Sequence, residues 1–247
     1  MRRAPFGIVA TALLAFATAA SAGQFTVGTG AIVDLGTGSL DLGCADLTVA
    51  GTLSAGTAGF AQARDVTIDP AGLVNGNSAT LALAGDWDNS GTFNAGISTV
   101  RLVDGCGLAS AVIAGDTSFA NLDMTTTSGF LYNFVSGSTQ TVTGALSLEG
   151  AAANLLTIRS TLNGSEAFLN VQGTSSADFV DVQDNDATGG NAIALGPNSV
   201  QGSNTPGWLA GVLVPALGAL GLALLGLSLL WSGRRALATR RGSLATR

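Results

Sequence analysis

The segment ATLALAGDWDNSGTF, residues 79–93, decides how this chain is read. Leu81 and Leu83 alternate with small residues, so a short strand there has one apolar face. Gly85 and Asp86 follow at once, and glycine permits a sharp corner, including φ > 0. A second short run then opens at Trp87. The same alternation recurs at Val66 and Ile68 and at Val100 and Leu102. Further strand signals bounded by Gly, Asn, Asp and Ser are DLTVAGTLSAG (46–56), RDVTIDPAG (64–72), STVRLVDG (98–105), QTVTGALSLEG (140–150), NLLTIRS (154–160) and AFLNVQG (167–173). No stretch of the body shows sustained helical periodicity.

A loose repeat runs through these signals. Val49-Ala50-Gly51-Thr52-Leu53, Leu83-Ala84-Gly85-Asp86-Trp87 and Val142-Thr143-Gly144-Ala145-Leu146 share an apolar-small-Gly-x-apolar pattern at irregular spacing. A short strand, a glycine corner and another short strand make one coil of a β-solenoid, in which each coil buries its neighbour's apolar face. The expected fold is therefore all-β, a single parallel β-solenoid. A β-sandwich is the competing arrangement, because it too uses many short strands separated by turns.

Charge narrows the function classes. All 16 acidic residues lie in residues 23–207, where only Arg64, Arg101 and Arg159 are basic, and the chain has no lysine. Such an acidic surface argues against nucleic acid, whose phosphates require basic partners, and against docking on anionic lipid. The chain contains no histidine. That excludes Ser-His-Asp and Cys-His catalysis and histidine-ligated metal. The absence of lysine removes Schiff-base chemistry and the P-loop. Gly28-Thr29-Gly30 lacks the third glycine of a dinucleotide fingerprint and reads as a turn. The three arginines read as solvated ion pairs.

Few residues remain as candidates for chemistry. Cys44 and Cys106 are the only cysteines and form a disulfide candidate in an oxidising compartment. If they sit several coils apart, however, their Cα atoms exceed the roughly 7 Å that a bridge tolerates. The segment DFVDVQDNDATGG concentrates Asp178, Asp181, Asp184 and Asp186. The same residues read first as an acidic turn, while oxygen ligands from Asp181, Asp184 and Asp186 would also suit Ca²⁺, the one cofactor considered. Trp87, Asp88 and Asn89 offer either a sugar-stacking surface or, at Trp87, a core filler. Paired aspartates leave a carbohydrate-active β-helix enzyme as an alternative function.

The two ends concern delivery. Arg2 and Arg3, the apolar run Phe6 to Ala19 and Ala20-Ser21-Ala22 together read as a signal peptide over residues 1–22, cleaved before Gly23. Residues 23–207 form the exported domain. Residues 208–233 read as a transmembrane helix with Trp208 and Trp231 at the two interfaces, and an Arg-rich tail occupies 234–247. The positive-inside rule keeps that tail in the cytoplasm and the body outside it.

Val214-Pro215-Ala216-Leu217, followed by an apolar helix and then Arg234 and Arg235, resembles the tripartite sorting signals of Gram-negative bacteria. The resemblance is to the IPTL-CTERM type, a relative of PEP-CTERM, with Ala216 in place of the usual threonine and no polar residues after the motif. It implies an exosortase-type membrane enzyme as partner, cutting near Pro215, and an association with exopolysaccharide or extracellular matrix. Within the body, GDWDNSGTFNAGISTVRLVDG (85–105) and IAGDTSFANLDM (113–124) are similar to a recurrent element of secreted bacterial β-solenoid proteins. The expected function is an exported, surface-sorted structural or adhesive protein without catalysis, held in the membrane at least transiently. A permanently membrane-anchored periplasmic protein is the other alternative.

Overall fold

A computed structural model describes residues 23–211. They contain 26 strands, β1–β26 in chain order, and no helix. Every strand pairs in parallel with a strand of the next coil, and a β-sandwich is thereby ruled out. The chain winds through about eight turns of a three-faced solenoid.

The first face is a continuous nine-stranded sheet. It comprises β1 (Gln24–Val27), β4 (Asp46–Val49), β7 (Val66–Ile68), β10 (Trp87–Asn89), β13 (Ser110–Ala114), β16 (Leu131–Phe134), β19 (Leu156–Ser160), β22 (Val180–Val182) and β25 (Val200–Gln201). The second face is interrupted. Four strands, β2 (Ile32–Asp34), β5 (Thr52–Ser54), β8 (Leu73–Asn75) and β11 (Thr92–Asn94), form one sheet. Four more, β14 (Thr117–Phe119), β17 (Thr139–Val142), β20 (Ala167–Val171) and β23 (Asn185–Asp186), form another. The third face has seven strands: β3 (Ser39–Asp41), β6 (Gly59–Ala63), β9 (Thr80–Leu83), β12 (Thr99–Val103), β15 (Asn121–Thr125), β18 (Ala145–Glu149) and β21 (Thr174–Asp178). Strands β24 (Ile193–Ala194) and β26 (Trp208–Leu209) pair at its end.

Period-two alternation puts one side of each strand inside, and the parallel register stacks like on like. Phe25, Leu47, Val66, Trp87, Ile113 and Phe134 form an unbroken inner ladder on the first face. Leu83, Leu102, Met124 and Leu148 do the same on the third. These side chains meet at the axis as one core. Where the second face breaks, between β11 and β14, an aromatic triad fills the interior. Trp87 lies 5.1 Å from Phe93 and 5.5 Å from Phe119, ring centre to ring centre. Trp87 is buried, and its Nε1–H donates to Thr117 Oγ1 at 3.1 Å. Of its two readings, the core one holds.

The loose repeat proves to mark corners rather than coils. Val49–Leu53 turns from β4 to β5, Leu83–Trp87 from β9 to β10, and Val142–Leu146 from β17 to β18. These are three different corners of the coil, and so the motif recurs without a fixed period. Its glycine is there for close approach. A Cβ on Gly51 would strike the Gly28 carbonyl of the preceding coil, and one on Gly144 would strike the Ala120 carbonyl.

At the far end, Trp208 is buried and its Nε1–H donates to Asn185 Oδ1 at 3.1 Å. Gln201 Nε2 donates to the Trp208 carbonyl at 3.0 Å. Trp208 and Leu209 thus belong to the last solenoid strand. The expectation that the 208–233 helix starts at an interfacial Trp208 is corrected: once its indole N–H has a buried partner, this ring serves the core. The rest of that segment, the signal peptide and the Arg-rich tail lie outside the described residues.

Candidate functional site: a loop crest along one corner

Coil length is uneven. Leu47 pairs with Val66, nineteen residues on, whereas Leu131 pairs with Thr157, twenty-six on. Much of the excess collects where the third face turns into the first. That corner is a single residue, Phe179, between β21 and β22. It expands to residues 104–109 after β12, 126–130 after β15 and 150–155 after β18. In stacked-repeat proteins, insertions gathered on one side commonly form the contact surface.

Asp104 knits this crest together. Its Oδ2 accepts hydrogen bonds from the Thr127 N–H at 2.7 Å, the Ser128 N–H at 3.0 Å and the Ser128 hydroxyl at 2.9 Å. Thr126 Oγ1 accepts from the Gly129 N–H at 2.9 Å, and Asn154 Nδ2 donates to the Thr127 carbonyl at 2.8 Å. Three successive coils are thereby tied through polar groups. Burial opposes the Asp104 charge, but the donors of Thr126, Thr127 and Ser128 outweigh it and hold the carboxyl below the usual range. Its Oδ1 is buried and has no partner. A shallow cavity of about 210 Å³ lies beside it, lined by Val103, Asp104, Thr125, Thr126 and Thr127.

The crest continues into the disulfide. Cys44 and Cys106 are bonded, with their Cα atoms 5.5 Å apart and a sequence separation of 62. Cys44 follows β3 and Cys106 follows β12, so three coils separate their corners. Stacked strands alone would hold them about 14 Å apart, at ~4.8 Å per coil. The bridge closes because both cysteines sit in long corners, 42–45 and 104–109, that reach over the short ones at 64–65 and 84–86. Both residues adopt positive φ, 67° and 53°. A second cavity of about 260 Å³ is lined by both cysteines together with Ala61, Ala82 and Ala84.

The acidic segment is spread out. Asp181 pairs with Arg159 Nη2 at 2.6 Å on the first face. Asp184, at a corner with φ 53°, accepts from the Gly164 N–H, Gln183 Nε2 and Asn204 Nδ2, each at 3.1 Å. Asp186 accepts from the Thr188 N–H at 2.6 Å. Asp178 takes Phe179 N–H and Asn198 Nδ2. The calcium trio is therefore not brought together, because strand alternation and the corner send the carboxylates in different directions. Among the described residues no group of three or more His, Cys, Asp or Glu is placed to hold a metal. The other two arginines among the described residues pair as well, Arg64 with Asp46 and Asp65, and Arg101 with Asp123 at 2.9 Å.

One row of carboxylates is aligned. Asp46, Asp65 and Asp86 directly precede the register-matched Leu47, Val66 and Trp87. Asp65 Oδ1 accepts the Asp86 N–H at 2.8 Å, and Asp86 Oδ1 accepts the Val112 N–H at 2.7 Å. Partial desolvation, together with the neighbouring Asp65, raises the Asp86 pKa despite the Val112 bond. The sorting residues Val214, Pro215, Ala216, Leu217, Arg234 and Arg235 lie outside the described residues. Sequence patterns alone did not single out the crest. Its signal is the excess length between successive strands of one face, which becomes readable only once the register is known.

No family model, curated protein or solved structure matches this chain.

Proposed function

We propose that this chain is an exported, surface-sorted structural or adhesive protein whose rigid solenoid presents the polar crest for contact with matrix or exopolysaccharide. The observation that carries the reading is the Cys44–Cys106 bridge. A disulfide between the only two cysteines, closing a long loop, suits an oxidising compartment. The terminal segments independently suit the same destination: a signal-like start, and the Val214–Leu217 motif with its apolar run and Arg234 and Arg235. An exosortase-type enzyme is the partner that would process the second.

The test places one epitope after Gly23 and another after Arg247 and follows both in the native host. Loss of the C-terminal tag, with a new end near residues 214–217, is the expected result. Both tags retained together in the inner membrane would replace sorting with permanent anchoring in the periplasm.

The aligned pair Asp65 and Asp86, with its raised carboxyl, is the one observation favouring a carbohydrate-active enzyme. Turnover of a polysaccharide that disappears in Asp86→Asn would establish that second reading and displace the structural one.

A further inference from the structure

The two ends of the solenoid are finished differently. At the far end the last coil packs onto the one before it, through buried Trp208 and the Gln201 bonds to Thr205 and Trp208. Among the described residues nothing pairs with the outer edges of β1, β2 and β3. Gly23 and Val27 direct their carbonyls at Asp46 and Ala50 of the next coil. By alternation, Gln24 and Thr26 point their N–H and C=O groups away, off the end of the solenoid. The inward-facing Phe25, Val33 and Leu40 are only half-buried, whereas their register partners Leu47, Leu53 and Phe60 are fully buried.

Soluble proteins guard such edges with lysine, proline, inward charge or a bulge. The first coil, residues 23–45, has none of these. Its only charged residues, Asp34 and Asp41, accept hydrogen bonds from the N–H groups of Gly36 and Gly43 in their own turns. The end is therefore an apolar centre rimmed by three unsatisfied strand edges, and the complement of such a surface is another strand edge. At the far end the outer strands β25 and β26 are two residues long and are followed in sequence by residues 212–247, so they do not match the three-edged rim of the near end. This step rests on the export reading: cleavage before Gly23 leaves no residues of the chain to cover β1.

We infer that the N-terminal ends of two mature copies dock on each other, edge to edge. A two-fold arrangement closes after one contact and gives a dimer rather than a filament. The strands across the junction run antiparallel, and the half-buried residues of both copies complete one core.

The test measures the mass of the purified, natively processed chain by light scattering across a dilution series. It uses the native chain, Thr26→Pro and Val33→Lys. Thr26→Pro removes an outward N–H without touching the β1–β4 ladder. Val33→Lys lets a lone copy send its charge to solvent but forces two like charges together in the dimer. The expected result is a dimer for the native chain and at least about tenfold weaker association for each variant. Unchanged thermal unfolding of the dilute variants shows that the fold is kept. A native chain that stays monomeric, or variants that associate as tightly as it does, overturns the docking. The N-terminal mass reports cleavage separately. A monomer that retains residues 1–22 assigns the edge to that segment and overturns both the docking and the processing on which it rests. A monomer that begins at Gly23 overturns the docking alone.

Discussion

Three side chains of the solenoid show how differently single residues contribute. Trp87 fills the space where the second face breaks, contacts Phe93 and Phe119 and donates to Thr117. Its replacement by alanine is expected to cost about 3–5 kcal/mol, measured by denaturant unfolding. Tyr132 is equally buried, but its hydroxyl has no partner. Burial and the charges of Asp104 and Asp123 raise its pKa, so it stays neutral. Tyr132→Phe removes only an unsatisfied group and should change stability by less than about 0.5 kcal/mol, or raise it. Asp104 behaves in the opposite way. Its folded pKa is lowered, so the stability it contributes is complete above the unfolded aspartate value of about 3.9 and is lost as pH falls through the folded one. Asp104→Asn should flatten that acid limb in a pH series of unfolding curves. An unchanged limb would show that the crest does not depend on the carboxylate.

The element that organises the fold is the corner. Gly28 and Gly72 occupy the same corner type, between the first and second faces, in different coils. A Cβ on Gly28 meets nothing within 4 Å, because among the described residues no coil precedes it. On Gly72 it meets backbone. Gly72→Ala is expected to lose about 1–3 kcal/mol. Gly28→Ala should hold its stability or gain as much as about 1 kcal/mol, a contrast that thermal melts resolve. The short strands and glycine corners were readable from sequence because alternation and glycine follow directly from strand geometry, as at Leu81, Leu83 and Gly85. The solenoid itself followed from them. The bridge was readable only as a candidate. Whether Cys44 meets Cys106 depends on how far two long corners reach over two short ones, a property of coils distant in sequence. Asp181, Asp184 and Asp186 misdirect for a related reason. Neighbours in sequence, they are parted by strand alternation and by the corner at Asp184.

For the whole molecule, stability in a stacked-coil protein is close to a sum of coil and interface contributions. The Cys44–Cys106 bridge adds a restraint across three of those interfaces, closing a loop whose entropic effect is on the order of 4 kcal/mol in the chain-entropy description. Reduction should therefore loosen the N-terminal half selectively. Limited proteolysis with reductant is expected to cut within residues 23–109 before it touches β16–β23. The bridge is also where structure and proposed destination meet, since a body that remains in a reducing compartment cannot keep it. The direct measurement is the intact mass of the protein taken from its native host, alkylated before any reduction. The expected mass is that of a chain beginning at Gly23 with no alkyl group on Cys44 or Cys106. A chain that still carries residues 1–22 and is alkylated at both cysteines would contradict it.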